Sequence, residues 1–184
     1  MLGFSLFAFS TLGVMTRRGV NVVTKRSLHV ENKIAELGYK MPPGPSLPRG
    51  NYMTYTQSGP YLYLAGHLPQ PVDGDLMIGR LGENMDIETG QKAAHLCGMQ
   101  ILASIKEALG DLDRVKKVVK IVGFVNSTND FTDQPKVLNG CSDLMGEVFG
   151  IDVGRHARSA IGTNVLPLGV PVEIEAIIEI KDPF

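Results

Sequence analysis

The fold is decided by the stretch Thr89–Asn126, TGQKAAHLCGMQILASIKEALGDLDRVKKVVKIVGFVN. Its first part repeats apolar residues at helical spacing, and Gly110 is a natural helix end. Its second part, Val115–Asn126, is an alternating run dominated by β-branched residues. We predict a helix over about 89–109, N-capped by Thr89, and then a strand with Val119, Ile121 and Gly123 on one face.

Upstream of this stretch, the sequence predicts a β-hairpin. Tyr52–Thr56 and Tyr61–Ala65 are rich in aromatic and β-favouring residues, and Ser58-Gly59-Pro60 lies between them as a turn. The segments before the hairpin are predicted to be a short helix over Val30–Leu37 and a proline-rich extended linker over Met41–Gly50. After the hairpin, residues 70–87 are predicted to be a loop, with a short strand near Leu76–Ile78 as an alternative.

Downstream, a second helix and two strands complete the predicted fold. The helix runs from about Asp133 to Phe149, with Pro135 in its first turn and Val137, Leu144, Met145 and Val148 on its apolar side. Strands over Ala157–Thr163 and Val172–Ile180 flank the turn Leu166–Gly169. This order predicts an α+β fold, with two helices packed on one face of a mixed sheet. The other face needs a cover, and further copies of the chain could supply it.

The chain divides into a basic leader and an acidic body. Its 184 residues fit one domain, and residues 31–184 carry 14 Lys and Arg against 19 Asp and Glu. Residues 1–30 hold four cations and no acid. The acidic body gives no indication of a general nucleic-acid binder.

The leader itself is open to three interpretations. Residues 1–15 are apolar but too few to span a membrane, and the cations follow the apolar run, whereas a secretory signal has them before it. An acid-poor stretch rich in Arg, Ser and Thr favours a transit peptide to a mitochondrion or another organelle. A secretory signal or membrane anchor and an untranslated or disordered extension are the alternatives. Without a functional leader the protein would be cytoplasmic, and no stable membrane insertion is expected.

No cofactor or metal is expected from the motifs. Histidines, cysteines and carboxylates do not cluster at metal-ligand spacing, and no phosphate-binding glycine loop is present. Cys97 and Cys141 fall in predicted helices, where buried reduced thiols are the default.

Three charged residues in the last two predicted strands are candidate functional groups. Arg158 faces the same side as Ala160 and Gly162, which leaves room for a ligand, although an interface salt bridge is the simpler interpretation from the residues alone. Glu173 and Glu175 share one face of the last strand, and two solvated carboxylates would explain them equally well.

Five sequence blocks, in order, resemble the signature of the Rid (YjgF) family. They are Gly50-Asn51-Tyr52, Leu64-Ala65-Gly66-His67-Leu68-Pro69, Phe124-Val125-Asn126-Ser127-Thr128-Asn129-Asp130-Phe131, His156-Ala157-Arg158-Ser159 with Leu166-Pro167, and Val172-Glu173-Ile174-Glu175-Ala176. They span a core of about residues 50–182 within a single domain over 31–184.

The resemblance implies a chorismate-mutase-like fold and a homotrimer with ligand clefts between subunits. It also implies hydrolysis of 2-imino or enamine acids, such as 2-aminoacrylate, to a 2-keto acid and ammonia. Arg158 matches the arginine that holds the substrate carboxylate, and Glu173 matches the glutamate that places the attacking water. Tyr52 and Asn139 match cleft residues.

Departures from the family pattern concentrate around the expected cleft. Ala65-Gly66-His67 stands where the family has Ser-Gly-Gln, so these three residues are expected to line the substrate site without the serine hydroxyl. His156 replaces a proline, Ala160 replaces a cysteine or threonine, and the region between Asn139 and Arg158 is about two residues longer. His67 and His156 could supply the missing hydrogen bond or acid-base group, although a structural role is favoured for each.

Three functions follow as hypotheses. The first is an imine deaminase with a small carboxylate substrate. The second is a trimeric module that captures a small carboxylate metabolite or docks a protein partner without catalysis. The third, ribonuclease activity, is disfavoured by the acidic body and the lack of a basic-aromatic stripe.

Overall fold

The computed structural model describes residues 30–181, which form a five-stranded mixed sheet with helices on one face. The predicted leader, residues 1–30, lies outside this range except for Val30. Successive elements are α1 (Val30–Glu36), β1 (Tyr55–Ser58), β2 (Tyr61–His67), α2 (Ile87–Leu109), β3 (Val115–Asn126), α3 (Gln134–Val137), α4 (Asn139–Phe149), α5 (Ile151–Gly154), β4 (Ala157–Thr163) and β5 (Val172–Ile180), with short 3₁₀ turns over Leu112–Arg114 and Pro167–Gly169.

The strand order is β1-β2-β5-β3-β4, which places β1 and β4 at the two edges. The β3–β4 pair is parallel, and the other pairs are antiparallel. A parallel pair needs a crossover, which α3, α4 and α5 provide between β3 and β4. The predicted α+β architecture with two long helices on one face is confirmed.

The hairpin forms, but its first strand begins later than predicted. Ser58 pairs with Tyr61 across a two-residue turn, and Gly59 in that turn has φ = 57°. The strand starts at Tyr55, so the prediction from Tyr52 is wrong by three residues. Residues 76–78 form no strand.

Helix α2 begins two residues before the predicted cap. The Asp86 carboxylate accepts a hydrogen bond from the Thr89 backbone N–H at 2.8 Å, so Asp86 is the N-cap and Thr89 is not. An aspartate at this position both caps the first turn and carries charge that favours a helix N-terminus. The predicted end is confirmed, because Gly110 adopts φ = 74° and its N–H donates to the Lys106 carbonyl.

The second predicted helix is divided in two at Leu138. Pro135 lies in the first turn of α3, and the four residues predicted on the apolar side are buried. Leu138 packs over Gly123 of β3, where a Cβ atom would lie 2.2 Å from Leu138 Cδ1. Gly150, with φ = 78°, ends α4.

A β-bulge changes the predicted faces of β3. The pairing with β5 slips between Val118 and Lys120, so that Val118 and Ile121 both face the helices and are fully buried. Strict alternation had placed Val119 with Ile121, which is wrong because the bulge adds one residue.

Helix α1 adds to the core from the N-terminal side. Ile34 is 1% exposed and belongs to the same apolar cluster as α2 and β5. Glu31 forms an ion pair with Lys106 of α2, and the Val30 N–H donates to Asp113 Oδ1 at 3.0 Å. Cys97 and Cys141 are buried free thiols in the helical layer, as predicted.

The second face of the sheet has no helix over it within residues 30–181. Tyr63 and Ile161 are exposed there, and Phe124 and Ile177 are half-buried. In the same range, no helix is long and apolar enough to cross a membrane.

Candidate active site

The Arg158 guanidinium is held by the segment that connects β3 to β4. Arg158 pairs in register with the fully buried Ile121, so its side chain leaves the sheet on the helix-covered face. Nη1 donates to Asn139 Oδ1 at 3.0 Å and to Ser142 Oγ at 2.9 Å, and Nη2 donates to the Pro135 carbonyl at 3.0 Å. These three acceptors fix the plane of the guanidinium.

The contacts of Arg158 leave part of its guanidinium available to a ligand. A guanidinium has five N–H donors, and three of them are used. Among residues 30–181, the Nε–H and one Nη2–H have no acceptor. Two N–H groups are what the two oxygens of a carboxylate accept in a bidentate pair. The side chain is half-buried and borders an open cavity of about 610 Å³, which strengthens such a pair relative to one in water.

Asn139, which the resemblance assigns to the cleft, lies beside Arg158. It is the first residue of α4, and its amide oxygen orients the guanidinium. In this chain its oxygen is therefore occupied by Arg158.

Glu173 lies in a second cavity, of about 350 Å³, on the opposite face of the sheet. It pairs in register with Phe124, on the face that carries no helix. Gly66 lies directly over it, since a Cβ atom at Gly66 would be 1.8 Å from Glu173 Oε1. The glycine is therefore required for the carboxylate to occupy this position.

The surroundings of Glu173 make its carboxyl a stronger base than usual. Burial raises the pKa of Glu173, and the neighbouring charge of Glu175 raises it further. No hydrogen bond or ion pair to the Glu173 carboxylate is found among the described residues. A desolvated carboxylate without a partner can accept a proton from a bound water.

The other walls of this cavity combine predicted and unpredicted residues. Four residues that the sequence assigns to the substrate site line this cavity: Tyr52, Ala65, Gly66 and His67. The segment Ser46–Arg49 also lines it, although the sequence indicates only an extended linker there. Gln100 anchors that segment, because its Oε1 accepts from the Ser46 N–H at 3.1 Å.

The His67 ring points away from the cavity and into the core. A bulge between Leu64 and His67 in the β2–β5 pairing places His67 on the helix-covered face, against simple alternation. Nδ1 contacts the Ala65 carbonyl at 2.7 Å, and Nε2 contacts Ser104 Oγ at 2.6 Å. Burial lowers the pKa of His67 to about 4, so the ring is neutral at pH 7. The structural interpretation of His67 is thereby favoured over an acid-base role.

The predicted site residues form two groups in one chain. Arg158 and Asn139 lie on the helix-covered face at the β4 edge, whereas Tyr52, Ala65, Gly66, His67 and Glu173 lie around the second cavity. Two strand spacings, about 10 Å, separate β4 from β5 in the sheet. Within a single chain, Arg158 and Glu173 therefore cannot contact one small ligand.

Two residues that contact Arg158 or its partner were not identified from the sequence in that role. Ser142 accepts from Arg158, and His156 contacts Ser142 through Nε2 at 3.0 Å. Ser142 follows Asn139 by three residues, so it shares a helix face with Asn139, and that spacing is the signal available in the sequence. Among residues 30–181, no group of three or more His, Cys, Asp or Glu side chains is arranged to hold a metal ion.

Comparison with known proteins assigns the family. The family model described as "YjgF/chorismate_mutase-like, putative endoribonuclease" matches residues 31–178. The chain is a member of the YjgF family. The match covers all but the first and last few of the described residues, so the whole sheet and its helical layer belong to the YjgF fold.

Individual YjgF relatives agree with this assignment. Protein TCP17 of Trypanosoma cruzi is 45% identical over 153 residues, which are 83% of this chain and 95% of that protein. The crystal structure of Atu1372 from Agrobacterium tumefaciens, described as of unknown function, has 41% identity and a TM-score of 0.76, covering 83% of this chain and 92% of the other. A crystal structure from Shewanella oneidensis, described as a "putative endoribonuclease", has 30% identity and a TM-score of 0.79, covering 83% of this chain and 99% of the other.

Proposed function

We propose that the protein hydrolyses reactive 2-imino or enamine acids to 2-keto acids and ammonia. The observation that carries the proposal is the Arg158 guanidinium, which is fixed by three acceptors of its own chain and keeps two N–H donors for a carboxylate. The substrate class is accordingly a small molecule with a carboxylate next to the reacting carbon. No cofactor is required for this reaction.

We propose that each site is assembled from two subunits of a homotrimer. Arg158 and Glu173 lie on opposite faces of the sheet, so one chain supplies only half of the groups. A neighbouring chain that covers the exposed sheet face would bring its Arg158 to the cavity of Glu173. Symmetric assembly would then produce one identical site at each interface.

The chemistry assigned to Glu173 is the placement and deprotonation of water. The reacting form is the protonated imine, which an enamine such as 2-aminoacrylate reaches by taking up a proton at its terminal carbon. With the substrate carboxylate on Arg158, a water hydrogen-bonded to Glu173 adds to the carbon of the C=NH₂⁺ group while Glu173 accepts one water proton, which gives a neutral carbinolamine. Glu173 then returns that proton to the nitrogen, and the C–N bond breaks to release ammonia as the hydroxyl group gives its proton to solvent and becomes the C=O group. The raised pKa of Glu173 makes its carboxylate a better proton acceptor than an exposed glutamate.

The proposal is tested by measuring ammonia and keto-acid release from freshly generated 2-aminoacrylate and from bulkier 2-imino acids. Wild-type protein should exceed the uncatalysed rate, and Arg158→Ala should return it to background while the oligomer persists. Binding of pyruvate without turnover of any imine would instead support the non-catalytic carboxylate-binding module. Cleavage of single-stranded RNA without turnover of any imine would overturn this assignment, and cleavage that survives Arg158→Ala and Glu173→Ala would place the ribonuclease elsewhere on the chain.

A further inference from the structure

A chain of three contacts extends behind the Arg158 guanidinium. Arg158 Nη1 contacts Ser142 Oγ at 2.9 Å, Ser142 Oγ contacts His156 Nε2 at 3.0 Å, and His156 Nδ1 contacts the Gly154 carbonyl at 2.7 Å. The four residues come from α4, α5, the turn after it and β4. These contacts connect Arg158 to the backbone of Gly154, at the end of α5 and shortly before β4 begins.

The donor and acceptor of each contact follow from the groups involved. Burial lowers the pKa of His156, which favours the neutral ring. A carbonyl can only accept, so His156 Nδ1 carries the hydrogen and Nε2 of the neutral ring is the acceptor. The Ser142 hydroxyl must then donate to Nε2, which leaves its lone pairs for the Arg158 N–H. Each of the three hydrogen bonds therefore has a defined donor and a defined acceptor.

This direction matters because a serine hydroxyl in a helix has another acceptor available. Ser142 could otherwise donate to the Leu138 carbonyl, one turn earlier, as serines in helices often do. His156 removes this freedom and orients the lone pairs of Ser142 towards Nη1. The ring is half-buried, which limits competition from water at Nε2.

We propose that His156 is a positioning residue, which fixes the Arg158 guanidinium for carboxylate binding through the Ser142 hydroxyl. Its effect on turnover rests on the proposed deaminase function, whereas its effect on the guanidinium does not. Loss of His156 leaves the contacts of Arg158 with Asn139 and Pro135 intact. The arginine therefore stays in place but is less restrained, and kcat/KM should fall roughly tenfold.

The test compares His156→Ala, His156→Gln, Ser142→Ala and the double variant His156→Ala/Ser142→Ala in the full chain. The matched control is His95→Ala, since His95 is also half-buried but packs edge-on against Tyr39, with ring centroids 4.7 Å apart. The first readout is the ¹⁵N–¹H resonance of Arg158 Nε, assigned by its absence from Arg158→Lys. The second readout is kcat/KM for 2-aminoacrylate.

The expected result has three parts. The order parameter of the Arg158 Nε–H bond, measured by ¹⁵N relaxation, falls in His156→Ala and Ser142→Ala but not in His95→Ala. His156→Gln, whose amide oxygen can accept from Ser142, recovers much of the wild-type behaviour. The double variant is no worse than Ser142→Ala, because His156 acts only through that hydroxyl.

Two results would overturn the proposal. One is an Arg158 resonance and a kcat/KM in His156→Ala that equal those of the control. The other is a double variant whose losses multiply, since independent effects would exclude a route through Ser142. If His156→Ala does not fold, the comparison of Ser142→Ala with His156→Gln decides the same question. If wild-type protein releases no ammonia, the proposed function fails, while the resonance still decides the role of His156.

Discussion

Replacing Gly66 with alanine should remove Glu173 from its position without disturbing the fold. The new Cβ atom would lie 1.8 Å from Glu173 Oε1, 2.7 Å from its Cδ and 3.0 Å from its Cγ. The Glu173 side chain must therefore rotate away. The φ angle of Gly66 is outside the left-handed region, so alanine fits the backbone and the perturbation is confined to the carboxylate.

The size of the effect follows from that geometry. Relief of the clash moves the carboxylate by more than 1 Å, and a misplacement of that size costs on the order of 100-fold in kcat/KM. This corresponds to about 2.7 kcal/mol of lost transition-state stabilisation. Glu173 is half-buried and can turn towards water, so the free energy of unfolding should change by no more than about 1 kcal/mol.

The assay is ammonia release from 2-aminoacrylate, with urea denaturation of the same samples. Gly44→Ala is the matched control, because the nearest atom to a Cβ atom there is Glu107 Oε2 at 3.9 Å. The control should behave as wild type in both measurements. If Gly66→Ala retained activity within twofold of wild type, the position of Glu173 would not matter for turnover, and its assigned role would be refuted.

Three further predictions concern the arginine, the buried histidine and the N-terminal helix. Arg158→Lys should lower kcat/KM at least 100-fold in the same assay, because an ammonium cannot keep three acceptors and still form a bidentate pair, and a smaller loss would contradict that geometry. The pKa of His67 is about 4 in the folded chain and near 6.5 when unfolded, so the unfolded state takes up the proton first. The free energy of unfolding should thus fall by up to about 3 kcal/mol between pH 6.5 and 4, and His67→Gln, which cannot titrate, should show a flatter urea-denaturation profile. Ile34→Ala should cost about 2–5 kcal/mol of stability by the same method, with unchanged kcat, whereas a negligible cost would show that α1 is not part of the cooperative core.

Local sequence pattern was sufficient for most elements of the fold. The apolar spacing in α2 and the β-branched run of β3 each have one dominant period, so both were predicted to within a few residues. Asp86 was the missed signal at the start of α2, since aspartate is as good an N-cap as threonine or better. The β-bulges in β2 and β3 could not be predicted, because each depends on the pairing partner in β5.

The sequence assigns individual residues to the candidate site but does not give their arrangement. Alternation assigns Arg158 and Glu173 to a face of their own strands, yet it does not say which face the helices cover. That depends on the parallel register of β3 with β4 and the antiparallel register of β3 with β5. The same limit applies to His67. Strand alternation alone places its side chain on the open face of the sheet, towards the cleft, whereas the bulge turns it to the helix-covered face.

The most direct test of the account is complementation between two inactive variants. Arg158→Ala and Glu173→Ala are mixed, dissociated and reassembled, and native mass spectrometry verifies that the oligomers contain both. If each site takes Arg158 from one subunit and Glu173 from its neighbour, random assembly restores about one quarter of the sites, and ammonia release should recover to roughly that fraction of wild type. Verified mixed oligomers that remain inactive, beside an active wild type, would contradict a site shared between subunits.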